Sequence, residues 1–319
     1  MPLSNAHQST RDILAATVSA ASAAWPHVGL GDKVAVDRAA VDAMRHSLQS
    51  AQFGGIVIIG EGEKDEAPML FNGELVGHPD LVAVSVDWDI AVDPVDGTRL
   101  AAEGVPGAVA VMAAADRGSM LEASEVYMMK KIVSGPAGRG ILDIDATTSE
   151  NIVALAEALG KPVDEMRVAV INKARNFELI AEVQEAGAEW VRFDEGDIAM
   201  AVAAATQGSG VDLMLGLGGS PEGVVAAVAV QILGGFMQTR FAPQDAEQIA
   251  RALAAGYDLE GKFELDDLVS GERFVFVLTG ITDGILARGV RESEAGLELQ
   301  SFVLDSSLSE LVVLDHSSN

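Results

Sequence analysis

Arg167-Val168-Ala169-Val170-Ile171, then Asn176 to Glu185 at helical spacing, then Glu189-Trp190-Val191-Arg192-Phe193, is the stretch that decides the fold class. A short apolar run, an amphipathic run closed by Gly187 and a second short apolar run read as strand, helix, strand. The alternation continues through a predicted helix at Asp197 to Ala205, a strand at Val211 to Leu217 and a helix at Pro221 to Leu233. Strands separated by helices of this length imply parallel crossovers with both sheet faces covered, which is an α/β layered architecture.

On the N-terminal side, Arg11 to Trp25 has helical spacing and stops at Pro26 and Gly29; a second helix is predicted from about Lys33 to Ser50. Ile56 to Ile59 reads as a buried strand opening into Gly60-Glu61-Gly62-Glu63. Leu81 to Val92 reads as a strand that delivers Asp93 to the sheet edge, with Asp87, Ala91 and Asp93 on one face and Val86, Trp88, Ile90 and Val92 on the other. Further strands are predicted at Val109 to Ala114, Glu125 to Val133 and Phe274 to Thr279, and helices at Thr148 to Leu159 and near Gln244 to Ala255.

The chain has 319 residues, no cysteine and a net charge of -27. The missing thiols exclude disulfides, iron–sulfur ligation, thiol nucleophiles and the usual zinc sites, so catalysis must use oxygen or nitrogen groups. The acidity argues against nucleic acid or an anionic membrane as partner, because the overall field repels polyphosphate. An anionic small substrate then needs local cations. No apolar run has the length and composition of a membrane span, and the N-terminal residues lack the pattern of a signal peptide, so the expected location is cytoplasmic.

Within this frame, Asp93-Pro94-Val95-Asp96-Gly97-Thr98 puts two carboxylates three residues apart across a proline turn. Such hard oxygen donors suit Mg²⁺ or Mn²⁺, and they leave positions open for water and phosphate oxygens. Gly97 lets the backbone approach a ligand, and Thr98 is expected near a helix start, as cap, phosphate contact or both. Asp32 opens the second helix as cap or ligand. Glu61 leaves a strand between two glycines, as Asp93 leaves its own. Glu222 follows Gly218-Gly219-Ser220-Pro221, with Ser220 as the expected cap and Pro221 in the first turn. Trp88-Asp89-Ile90-Ala91 mimics the Trp-Asp-x-Ala motif of inositol monophosphatases, but it precedes the Asp-Pro segment where theirs follows, so Trp88 is assigned to the core.

Taken together these segments resemble the class II fructose-1,6-bisphosphatases, a bacterial family that includes dual fructose/sedoheptulose bisphosphatases. The likeness runs from Gly31-Asp32-Lys33 to Thr279-Gly280-Ile281-Thr282, and is most specific at Ile59 to Leu70, Ala91 to Arg99 and Gly218 to Val225. It implies the layered α/β/α/β/α sandwich of the lithium-sensitive sugar and inositol phosphatases. It implies an N-terminal metal-binding half at 1–160 and a C-terminal substrate-binding half at 161–319, packed as one unit, and a homodimer or homotetramer.

The resemblance places Asp32, Glu61, Asp93, Asp96 and Glu222 at the family's metal-ligand positions. Its substrate positions fall on Asp96, Gly97, Thr98, Tyr127, Lys173, Ala174, Arg175, Glu195, Gly196, Asp197 and Gly219. The family commonly has Glu where this chain has Asp96, and Pro where it has Ala174. The implied reaction is hydrolysis of the 1-phosphate of fructose 1,6-bisphosphate by a water activated by Mn²⁺ or Mg²⁺, with Thr98 orienting the water and Glu61 or another carboxylate as base. Lys173 and Arg175 then hold the 6-phosphate, with Tyr127 beside it. Sedoheptulose 1,7-bisphosphate as a second substrate, or an inositol monophosphatase-like activity, are the alternatives.

Overall fold

In the computed structural model, which describes residues 3, 6–61, 70–123, 125–294 and 296–318, the strands in chain order are β1 (Gly54–Ile59), β2 (Leu75–Gly77), β3 (Trp88–Asp96), β4 (Val109–Asp116), β5 (Met128–Ser134), β6 (Arg167–Ile171), β7 (Glu189–Phe193), β8 (Leu213–Gly219), β9 (Phe236–Phe241), β10 (Phe263–Glu264), β11 (Phe274–Gly280), β12 (Arg291–Ser293), β13 (Gly296–Asp305) and β14 (Val312–Ser318). The α-helices are α1 (Gln8–Ala24), α2 (Lys33–Leu48), α3 (Pro79–Val82), α4 (Thr98–Glu103), α5 (Thr148–Leu159), α6 (Phe177–Glu185), α7 (Asp197–Ala205), α8 (Ser220–Ile232), α9 (Ala246–Ala254) and α10 (Leu265–Leu268). None of these helices is long and apolar enough to cross a membrane.

The strands form two mixed sheets, one in each of two compact units: residues 1–122 with 270–319, and residues 123–269. This differs from the division at residue 160 expected from the sequence. The reason is a non-local pairing: β11 lies antiparallel along the whole of β4, from Phe274 opposite Ala115 to Gly280 opposite Val109. That ladder returns the C-terminal segment to the first sheet.

The first unit has the strand order β12-β13-β11-β4-β3-β1-β2, with β14 also on β13. Among the described residues only β1 and β3 run parallel in it. Ile13 of α1 and Val36 and Met44 of α2 join Val57, Ile90, Met112 and Val277 of the sheet in one core. The strand expected at Leu81 to Val92 begins later and ends later. Pro79 opens α3, with His78 Nδ1 accepting from Asp80 N at 3.3 Å, so the chain turns before it extends. β3 then runs past Pro94, because a register shift between Asp93 and Asp96 removes the need for a ladder hydrogen bond at the proline. Trp88 is core as expected, 5% exposed, with the Arg273 guanidinium 4.6 Å from its ring centroid.

Asp305, at the end of β13, ties this sheet to the start of α1. It is buried and accepts from Thr10 Oγ1 at 2.6 Å, His7 N at 2.9 Å and both N and Oγ of Ser307 at 2.7 Å. Burial pushes its carboxyl up, but these hydrogen bonds outweigh burial and hold it below the usual carboxylate range. A lowered pKa contributes stability above the unfolded value, lost as pH falls through the folded one. Asp305→Asn is therefore expected to cost about 1–3 kcal/mol near neutral pH, with the gap to wild type closing towards pH 3 in thermal melts. A pH-independent gap would assign the loss to geometry alone.

The second unit has the order β10-β9-β5-β8-β6-β7. The parallel crossovers expected here are confined to β6 with β7 and β6 with β8; β5, β9 and β10 pair antiparallel. Ile132, Val168, Val170, Leu213 and Leu215 pack with Ile152 and Leu155 of α5 and Ile180 and Val183 of α6. Strand alternation turns Lys131, Val133, Ala169 and Met214 to the other face, where α7 and α8 pack on each other and on the sheet. β9 escapes the periodicity reading because its central Gln238 and Thr239 are polar yet buried.

Candidate active site

In the first unit, β1 and β3 are parallel neighbours with Ile59 opposite Ala91, so both strands end at the same sheet edge. The chain leaves β1 towards Glu61 at the edge where β3 carries Asp93. The remainder of the Glu61 motif, residues 62–69, lies outside the described residues. Asp93 Oδ1 accepts from Val95 N at 3.1 Å, an Asx turn across Pro94, and Asp96 is buried at 6% exposure. Gly97 has φ of 87°, a left-handed conformation that suits glycine, and turns the chain directly into α4.

Thr98 Oγ1 donates to Val95 O at 3.0 Å, which leaves its lone pairs to accept from another group. Asp32 caps α2, accepting from Ala35 N at 3.0 Å. Its loop is tied to α4 by Gly29 N donating to Ala101 O at 2.9 Å and Gly31 N to Ala102 O at 2.7 Å. Among the described residues, no three acidic or histidine side chains converge closely enough to hold an ion by themselves. The candidate ligands of this unit, Asp32, Glu61, Asp93 and Asp96, nonetheless all offer hard carboxylate oxygens, the kind of donor that Mg²⁺ and Mn²⁺ take.

In the second unit the predicted residues gather around the end of β8. Asn176 fastens the Lys173–Arg175 turn to that strand: Leu217 N donates to Asn176 Oδ1 at 2.8 Å, and Asn176 Nδ2 donates to Leu217 O at 3.0 Å. Arg175 Nε also donates to Leu217 O, at 2.9 Å, while the residue stays exposed. Lys173 Nζ lies 4.0 Å from Glu195 Oε1. Gly196, with φ of 96°, starts α7, and Asp197 is buried behind it. Tyr127 precedes β5 instead of lying in it, is exposed, and accepts at its carbonyl from Ser220 N at 3.0 Å.

The glycine pair sits against carboxylates. A Cβ at Gly218 would fall 1.8 Å from Asp197 Oδ2, and one at Gly219 would fall 1.7 Å from Glu222 Oε2. Glu222 is partly exposed as a residue, but its Oε2 is buried and has no hydrogen-bond partner; the same holds for Asp197 Oδ1 and Ser220 Oγ. Burial pushes the Glu222 carboxyl above the usual carboxylate range, with the Lys131 ammonium opposing and Asp197 adding to the rise. Orphaned buried carboxylate oxygens fit an approaching cation or hydrogen-bond donor.

Two residues of this cluster, Lys131 and Asn176, escape the sequence reading. Lys131 Nζ donates to Asp197 Oδ2 at 2.8 Å from a side chain 1% exposed. Its signal was available: a lysine at the inward parity of an apolar strand, between Met129 and Val133. Asn176 gave no comparable signal, since its partner Leu217 is distant in sequence.

Comparison with known proteins gives the class first, a sugar-bisphosphate phosphatase, and then the family. The family model described as bacterial fructose-1,6-bisphosphatase, glpX-encoded, matches residues 7–316, and the chain belongs to that family. It is 40% identical over 301 residues to "Fructose-1,6-bisphosphatase 2 class 2" of Escherichia coli, covering 90% of this chain and 92% of that protein. It is 38% identical over 308 residues to the "D-fructose 1,6-bisphosphatase class 2/sedoheptulose 1,7-bisphosphatase" of Thermosynechococcus vestitus, covering 90% and 88% respectively.

Proposed function

We propose that this protein hydrolyses the 1-phosphate of fructose 1,6-bisphosphate to fructose 6-phosphate and phosphate, with Mn²⁺ or Mg²⁺ as cofactor. The observation that carries this reading is the pair of buried carboxylate oxygens without partners, Glu222 Oε2 and Asp197 Oδ1, beside a glycine pair and the exposed Arg175. Asp32, Glu61, Asp93 and Asp96 in the first unit, and Glu222 in the second, are the proposed metal ligands. A divalent ion held by such oxygens supplies Lewis acidity towards phosphoryl oxygens and water.

The chain's own residues do the rest. Thr98, its proton given to Val95 O, accepts from the attacking water and orients it, and Glu61 takes the proton. Arg175, its Nε anchored on Leu217 O, offers its remaining N–H groups to the 6-phosphate together with Lys173 and the exposed Tyr127 hydroxyl. Asp197 and Glu195 accept from sugar hydroxyls, and Gly97, Gly196, Gly219 and Ala174 allow close backbone approach. Asp96 is one carbon shorter than the Glu common in the family, which changes the reach of that carboxylate towards a metal ion and leaves the choice between Mn²⁺ and Mg²⁺ to the assay.

Phosphate release from fructose 1,6-bisphosphate with Mn²⁺, with Mg²⁺ and with a chelator tests this directly. No release with either metal overturns the reading. Because some relatives carry the dual name, sedoheptulose 1,7-bisphosphate belongs in the same assay. Arg175→Ala is expected to raise KM roughly tenfold or more with kcat nearly kept, as for loss of binding shared by ground and transition states; a fallen kcat at unchanged KM removes Arg175 from the 6-phosphate. The α/β/α/β/α layering, a homodimer or homotetramer, and a cytoplasmic location complete the proposal, and light scattering tests the assembly.

A further inference from the structure

Lys131 is the only buried lysine among the described residues, and the reaction outlined above does not use it. It stands in mid-sheet on β5, opposite Gly216 of β8 and Thr239 of β9. Gly223 of α8 leaves room over its stem: a Cβ there would lie 3.6 Å from Lys131 Cδ and 2.5 Å from Met129 Sδ. An ammonium buried this way is costly unless paired, and removing one partner leaves the other charge uncompensated.

A self-contained structural pair would satisfy its own hydrogen-bonding groups. This one does not. Lys131 carries three N–H donors and makes one hydrogen bond, to Asp197 Oδ2, while Asp197 Oδ1 and Ser220 Oγ stay buried and unpaired. The pair lies against the glycine that precedes Gly219, the position assigned to the substrate, since a Cβ at Gly218 would come within 2.9 Å of Lys131 Nζ. We propose that Lys131 is a positioning residue: it holds Asp197 by Oδ2 so that Oδ1 is presented to a sugar hydroxyl. The inference rests on the substrate role given to Asp197 under the proposed function.

The test compares K131M, D197N and K131M/D197N by KM, kcat, melting temperature and calorimetric binding of fructose 6-phosphate. Lys131→Met should raise KM and weaken fructose 6-phosphate binding roughly tenfold, the size expected for a hydrogen bond to a charged group. D197N should do the same, and the double variant should be no worse than D197N, because the lysine acts only through the carboxylate. A lowered melting temperature with wild-type KM and affinity in K131M, beside a D197N that raises KM, overturns the proposal alone. Wild-type KM in D197N overturns the role of Asp197 beneath it. If K131M does not fold, K131Q, neutral but still a donor, should raise KM at least about threefold; a wild-type KM there also overturns the proposal.

Discussion

Asp93→Asn is expected to give a folded protein whose metal-dependent turnover of fructose 1,6-bisphosphate falls well beyond the ~10–100-fold typical of losing a partner outside the ligand set. The substitution isolates charge from structure. Asp93 Oδ1 has a local task, accepting from Val95 N at 3.1 Å to close the turn over Pro94, and an asparagine oxygen performs it equally well. The aspartate also stands three residues before the end of β3, near the sheet edge shared with the end of β1, and the buried Asp96 ends the strand. What Asn removes is the anionic oxygen that a hard divalent ion requires. Circular dichroism and the melting temperature should match wild type, while calorimetric Mn²⁺ binding is lost. Near-normal turnover would refute the ligand role.

Glu222→Gln is expected to separate stability from function in opposite directions. With a chelator present, the variant should melt higher than wild type by roughly 1–2 °C, the shift that ~1 kcal/mol produces in a chain of 319 residues. The cause is the buried, unpartnered Oε2 and a carboxyl pushed above the usual range by burial. A raised carboxylate pKa favours folding fully only below the unfolded value of about 4.3 and is a penalty once pH exceeds the folded one. The advantage of Gln should therefore be present at pH 7–8 and vanish near pH 4. Added Mn²⁺ should reverse the order, because an ion that binds only the native state raises the melting temperature of wild type more than that of a variant short of one carboxylate ligand. Activity should be lost throughout. Equal melting of the two proteins in chelator, with equal response to Mn²⁺, removes Glu222 from the metal.

Several elements of the fold were legible residue by residue. Arg167–Ile171, Glu189–Phe193 and Asp197–Ala205 occupy the bounds that periodicity predicts, and Thr148–Leu159 is entered through a capping box made by Thr147 and Glu150. Their signals are local: apolar spacing, a cap, a closing glycine. The strand read over Leu81 to Val92 starts later because Pro79, following the capping His78, opens a helical turn first. β13 and β14 were not assigned at all. Their inward residues include Ser301, which is buried with its hydroxyl 2.7 Å from that of Thr279, so alternation in polarity does not follow alternation in burial.

Of the candidate site, the sequence showed the carboxylates and glycines because their chemistry is carried by residue type and short spacing. It did not show Lys131 as the partner of Asp197 or Asn176 as the fastener of Leu217. Those pairs are separated by 66 and 41 residues, and no local pattern encodes such a distance.

By itself, then, the sequence determined the α/β class, most of the elements, the cysteine-free hard-oxygen chemistry and the family. Tertiary structure alone decided which strands run parallel, where the first sheet takes back the C-terminal segment, and which charges are buried together. Periodicity reports which side chains leave water, but strand partners and buried ion pairs are set by contacts between distant segments, and those exist only once the chain has folded.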